Sequence, residues 1–216
     1  MQRYSGLLKL SAPAAPFAPL DANVYRQSLE DTLRQTRRTG ALAVFAYASL
    51  VWRPCFPSAS TVSATLNGFK RCFCVWTVQA RGTVAHPGLG LGLVASHDIC
   101  QGHLLTVAPE HFTSALAAMW EREMLTGVYQ PVWLPVHTPA GSERALTFCI
   151  DTTHPQFAGV LPTEEQARLI ANAAGQLGTN RQYLDETVAS LREYGLTDPD
   201  LETLARAVRA LAPGNR

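Results

Sequence analysis

Between residues 41 and 108 the chain carries four strand-like segments, ALAVFAYAS, TVSATLNGFKRCFCVWTVQ, GLGLVAS and CQGHLLTVA, divided by segments rich in Pro and Gly. Their close succession is the strongest constraint on the fold, because a parallel crossover needs about a dozen residues or more. The strands are therefore expected to pair mainly antiparallel. In the second segment Val62, Ala64 and Leu66, then Phe69, Arg71 and Phe73, alternate with the period of a pleated strand.

Helices surround this region. Asp21 or Asn23 can cap a helix running to about Arg38 and stopped by Thr39-Gly40. Pro109-Glu110 opens a second, APEHFTSALAAMWEREMLTG, with Gly127 as its stop. Two more strands, PVWLPVHTP and ERALTFCID, flank the turn Ala140-Gly141-Ser142. The chain then ends in three helical pieces, TEEQARLIANAAG, TNRQYLDETVASLREYG and DPDLETLARAVRALAPG. Thr163 with Gln166 resembles a capping box, as does Asp198 with the acidic residues after it. The pattern predicts an α+β fold: a small, mostly antiparallel β-barrel of about six strands flanked by helices. The barrel core is expected over about 41–151 and the C-terminal helices over about 163–211.

With 216 residues, 47% hydrophobic and 16% charged, the chain can bury one core of ordinary size. A single domain is expected over residues 21–216. Residues 1–20 have too few consecutive apolar residues for a membrane span and too many prolines for a signal peptide's apolar segment. They read as a poorly ordered leader. The net charge is +1 and the arginines are spread along the chain, unlike the concentrated basic face of a nucleic-acid or anionic-membrane binder. Five cysteines with no C-x-x-C pair suit a reduced cytoplasmic protein without a structural metal.

Residues 44–56, VFAYASLVWRPCF, begin as a strand and run into a loop held by Pro54 and Pro57. Tyr47 and Ser49 are hydroxyls to offer a ligand, Ala48 is small enough for close approach, and Leu50 with Val51 could floor a pocket. Taken alone, a tyrosine at a strand end is more often a core residue with its hydroxyl at the rim. On the second helix Phe112, Leu116, Met119 and Glu123 recur at spacings of four, three and four. Glu121, rotated by about 200° from Met119, should face water. A carboxylate on an apolar stripe either gains proton affinity and serves as a base, or reaches solvent or a buried arginine.

Arg81, in a loop after a strand, is suited either to hold a carboxylate with its planar fork or to a surface ion pair. Tyr183 lies at the start of a helix with Asn180 as a plausible N-cap, and its alternative role is packing. Cys100 and His103 lie three apart, which on a strand places them on opposite faces and argues against a thiol nucleophile. The histidines show no zinc-ligand spacing, and GLGLGL lacks the following helix and Lys-Ser/Thr of a phosphate loop.

FAYASLVW resembles the Phe-Gly-Tyr-Gly-Ser-Leu-(Ile/Met)-Trp signature of the ChaC-like γ-glutamylcyclotransferases, with Ala46 and Ala48 in place of two glycines. ARGTVAHPG, the Cys100-x-Gly102 strand, MWEREMLTGVY and AAGQLGTNRQYL are similar to further segments of that family in order and spacing, over roughly residues 43–190. The resemblance implies a small β-barrel with helices and a cofactor-free release of 5-oxoproline and cysteinylglycine from glutathione. It implies Glu123 as the catalytic acid/base and Tyr47, Ala48, Ser49 and Leu50 as the substrate loop, with Tyr183 as the matching C-terminal tyrosine. A γ-glutamyl binding module without turnover, or a cyclotransferase for other γ-glutamyl amines, would share these residues. If the family glycines sit at φ > 0, Ala46 or Ala48 would carry strain of about 1 kcal/mol; at negative φ both are harmless.

Overall fold

Asp21 opens the first helix, α1 (Ala22–Thr39): its carboxylate accepts from the N–H groups of Asn23 and Val24 at 2.9 and 3.2 Å. Gly40, at φ 67°, ends it by donating to the Thr36 carbonyl, a conformation that costs glycine least. Residues 12–211 are described by the computed structural model. Residues 1–11 of the expected leader lie outside them. Residues 12–20 form neither helix nor strand, and Leu20 donates its N–H to the Leu125 carbonyl at 2.8 Å.

Five strands close into a barrel in the order β1, β3, β2, β4, β5. They are β1 (Leu42–Ala46), β2 (Ser60–Thr77), β3 (Gly88–Val107), β4 (Tyr129–Thr138) and β5 (Gly141–Ile150). The segments GLGLVAS and CQGHLLTVA are one continuous strand, so the barrel has one strand fewer than the expected count of about six. β1 runs antiparallel to β3 from Leu42↔Val107 to Ala46↔His103, and β4 antiparallel to β5 along their whole lengths. The ring closes through a parallel contact, Val44 opposite Leu146 on β5.

The period-two pattern of β2 changes phase between Leu66 and Phe69, and Gly68 lies at the change. It adopts φ 82°, a left-handed conformation that costs glycine least, between the two phases of the strand. Phe69 thereby packs against the same interior cluster as Ala64 and Leu66, together with Ala43, Phe45 and Tyr47 of the first strand and its exit.

Two compact units emerge, and β2 and β3 run through both. One comprises Ala18–Arg71 and Leu93–Asp151. It holds α1, β1, β4, β5 and α2 (Phe112–Glu123), which follows a 3-10 turn at Pro109–His111. α1 packs on α2, and the Trp120 indole donates to the Ser28 hydroxyl at 2.8 Å.

The other unit includes Cys72–Gly92 and the chain from Thr152 onward. It carries α3 (Thr163–Asn172), the small hairpin β6 (Ala174–Gly175) and β7 (Gly178–Thr179), α4 (Asn180–Glu193) and α5 (Pro199–Ala210). α5 packs against α3 and α4. Asp198 caps α5 by accepting from Leu201 N–H at 3.1 Å. The capping box expected at Thr163 does not form. Thr163 is already helical, the cap position is Pro162, and Gln166 instead sends its side-chain amide to the Leu161 carbonyl.

Candidate functional site

Helix α2 buries Phe112, Ala115, Leu116, Met119 and Trp120, and Glu123 continues that stripe as the last helical residue. Glu121 is exposed, as its rotation about the axis requires. Glu123 keeps 17% of its side chain accessible. Burial raises its carboxyl above the ordinary value of 4.5, and the neighbouring Arg122 charge opposes that rise.

The loop after β1 is the second component. The chain leaves the sheet after Ala46 and turns tightly, with Val51 N–H on the Ala48 carbonyl and Arg53 N–H on the Ser49 carbonyl, both at 2.8 Å. Tyr47 is buried and donates its hydroxyl to the Phe148 carbonyl at 3.0 Å, so that hydroxyl serves the barrel. Leu50 and Val51 are buried, while Ala48 and Ser49 are half-buried.

Arg122 joins the two components, and the sequence reading did not single it out. Its Nη2 donates to the Ser49 hydroxyl and its Nη1 to the Arg53 carbonyl at 2.7 Å. Its Nε lies 3.3 Å from Glu123 Oε1. One planar guanidinium thus ties the loop to the carboxylate, a geometry an ammonium could not reproduce. The available signal was the arginine inside the run W-E-R-E-M. Cys55 lies beside both charged groups; burial raises its thiol, with Arg122 pulling it down and Glu123 adding to the rise.

Ala46 and Ala48 carry no left-handed strain, since no non-glycine residue among those described has positive φ. The close approach at this point is made instead by Gly102. A Cβ there would lie 2.4 Å from the Ala46 carbonyl oxygen and 2.7 Å from the Phe45 ring.

Arg81 and Tyr183 come together in the other unit. The guanidinium carbon of Arg81 stands 5.3 Å over the Tyr183 ring, with Glu186 at 3.6 Å and the Thr179 carbonyl at 3.4 Å. The carboxylate that Arg81 meets here is therefore the protein's own. Tyr183 also packs edge-on against Phe73 at 5.6 Å. Its helix is capped by Thr179, whose hydroxyl accepts from Gln182 N–H, rather than by Asn180. Asn180 is fully buried and pairs with both main-chain groups of Leu89, at 2.7 and 2.8 Å.

Cys55 and Cys149 are not activated as nucleophiles, since burial raises both thiols. Cys149, beside Cys100, is pushed up to about 12 by burial, and Cys100 lies in the barrel interior. Among the described residues no three His, Cys, Asp or Glu side chains converge as a metal site, and no helix is long and apolar enough to cross a membrane.

Residues 42–211 match the family described as ChaC-like protein. The chain is 33% identical over 189 residues to the glutathione-specific γ-glutamylcyclotransferase of Escherichia coli K12, covering 87% of this chain and 81% of that one. It is 30% identical to glutathione-specific γ-glutamylcyclotransferase 1 of rat, over 80% of this chain and 81% of that one. The fold resembles the crystal structure of a γ-glutamyl cyclotransferase specific to glutathione from yeast. That likeness has a TM-score of 0.72 at 20% identity and covers 80% of this chain and 97% of that one.

Proposed function

The chain belongs to the ChaC-like family, and on that premise we propose that it is a γ-glutamylcyclotransferase converting glutathione to 5-oxoproline and cysteinylglycine, with Glu123 as general acid/base. The observation that carries the role of Glu123 is its carboxyl at the end of a buried helical stripe, tied through Arg122 to Ser49.

The α-amino group of a γ-glutamyl peptide can reach its own γ-carbonyl carbon, so the reaction is intramolecular and the enzyme need only hold the cyclic conformer. An ammonium has no lone pair to attack with. Glu123, ionised, takes a proton from it, and the amine nitrogen bonds to the γ-carbon. The tetrahedral centre then expels the cysteinylglycine nitrogen as the γ-amide bond breaks: Glu123 returns its proton to that nitrogen, and the second proton of the ring nitrogen also passes to the departing amine, which leaves as an ammonium and the lactam as neutral 5-oxoproline. A carboxyl whose proton affinity is raised by burial is better matched to both transfers than an exposed glutamate.

The N–H groups of the loop from Ala48 to Leu50 would hold the γ-glutamyl group or the developing oxyanion. The loop keeps ordinary backbone angles with alanine at 46 and 48. A binding module that lost turnover through a strained loop therefore has no strain to rest on. Tyr183 is assigned to substrate binding from the family pattern, and Arg81 from the capacity of its planar fork to hold a carboxylate. The protein's place in the reducing cytoplasm is part of the same reading, suggested by five free thiols.

The test is formation of 5-oxoproline from glutathione by wild type and by Glu123→Gln, with calorimetric glutathione binding to both. Turnover lost by about 100-fold or more with binding retained supports the role. Equal turnover in the two proteins excludes it, and a panel of γ-glutamyl amines separates glutathione from broader substrates.

A further inference from the structure

Arg71 is a charged side chain with only 3% of its surface accessible, on the interior-facing register of β2. It shares the inward phase of Phe69, two residues before it, which packs on the interior cluster. Its Nη1 donates to the Tyr47 carbonyl at 2.6 Å and its Nη2 to the Gln101 carbonyl.

These two carbonyls flank the point where β1 leaves β3. The ladder between those strands ends at Ala46↔His103, one residue before Tyr47 and two after Gln101. Where the ladder stops, the guanidinium fork spans both chains and takes up a main-chain acceptor from each. Tyr47 is then held by its carbonyl on Arg71 and by its hydroxyl on the Phe148 carbonyl. The peptide whose carbonyl faces the positive charge ends in the N–H of Ala48, the first amide of the substrate loop. A cation on the carbonyl oxygen polarises that peptide and makes its N–H a stronger donor.

We infer that Arg71 is a positioning residue, fixing the exit of the loop over residues 47–50 and sharpening the Ala48 N–H as a donor to the γ-glutamyl substrate. The inference rests on the loop's proposed role in holding that substrate. It differs from a purely structural role, in which Arg71 would only fill the barrel end.

Arg71→Lys and Arg71→Gln separate the two. Lysine keeps the charge but presents a point donor instead of a fork, so it cannot hold both carbonyls in the same geometry. The expected result for Arg71→Lys is a drop in kcat of about tenfold or more with KM changed less than about threefold, because misplacement is felt most in the cyclic transition state. Arg71→Gln should fall further. Amide exchange in a peptide covering residues 47–53 should quicken in Arg71→Lys while exchange in β4 and β5 stays as in wild type.

Wild-type kcat and loop exchange in a folded Arg71→Lys overturns the inference while leaving the cyclotransferase reading intact. Loss of fold in both variants overturns it as well, by making Arg71 a residue of the fold. A wild-type protein that binds glutathione without turning it over would remove the cyclotransferase reading alone. Binding weakened about tenfold in Arg71→Lys would then support the inference, and unchanged binding would overturn it. A wild type that neither binds nor converts glutathione overturns both.

Discussion

The Nε of Arg122 lies 3.3 Å from Oε1 of Glu123, its neighbour in sequence. Two opposing influences therefore act on one carboxyl: burial raises its proton affinity, and the adjacent cation lowers it. With Glu123 in its proposed role, it must be ionised to take a proton, so kcat/KM should rise with pH along an acid limb centred above the ordinary glutamate value of 4.5. Arg122→Gln removes the opposing charge and should move that limb to still higher pH, besides loosening Ser49 and Arg53. A pH–rate profile of both proteins checks this. Limbs that coincide would show that the guanidinium has no electrostatic hold on the base.

The same shift has a consequence for stability. The folded protein binds the Glu123 proton more tightly than the unfolded chain does. The stabilisation is thus complete below the unfolded-state value and is lost as pH rises through the raised folded one. At neutral pH the ionised carboxylate is a burden that a neutral amide lacks. Glu123→Gln should therefore melt at or above the wild-type temperature at pH 7.5, and the difference should shrink on acidification. A melting series in matched buffers measures it.

Restoring the family glycine at Ala46 should not relieve strain, because none is present. Ala46 lies within β1, where glycine gains more freedom on unfolding than alanine does. Ala46→Gly is expected to destabilise the protein by about 0.5–1 kcal/mol without raising kcat. Urea unfolding together with the 5-oxoproline assay checks both halves.

Asn180 predicts a larger effect. Its side chain both donates to and accepts from the Leu89 main chain inside the core of its unit. Asn180→Ala leaves a buried N–H and a buried C=O without that partner, each worth about 1–3 kcal/mol. Chemical denaturation should show a loss of several times the Ala46→Gly effect, and Asn180→Asp should fall between the two.

How much of this was legible beforehand differs from element to element. The α1 boundaries could be read because Asp21 and Gly40 are local signals acting within one turn of chain. The α2 stripe was legible for a similar reason: helical geometry alone places Glu123 with Met119 and Leu116 and turns Glu121 to solvent. The join between two strand segments in β3 was not, since a mid-strand run of exposed residues from His97 to Ile99 looks like a turn when its paired strands are unseen. The capping box at Thr163 failed because Pro162 already occupies the cap position.

The family and the barrel with its flanking helices were readable from the chain alone, because period, caps and motif spacing are properties of neighbouring residues, and the same helical period put Glu123 on the buried stripe. Only the tertiary structure decided which side chains do the joining. Arg122 reaches a hydroxyl 73 residues earlier, and Arg71 bridges carbonyls 24 residues before it and 30 after it. The sequence pattern also could not tell whether alanine at 46 or 48 takes a strained φ, since φ at a strand end and in the loop after it is set by what those residues are bonded to. Contacts of that range depend on strand register and on the phase change beside Gly68, and neither is set by any local stretch of chain.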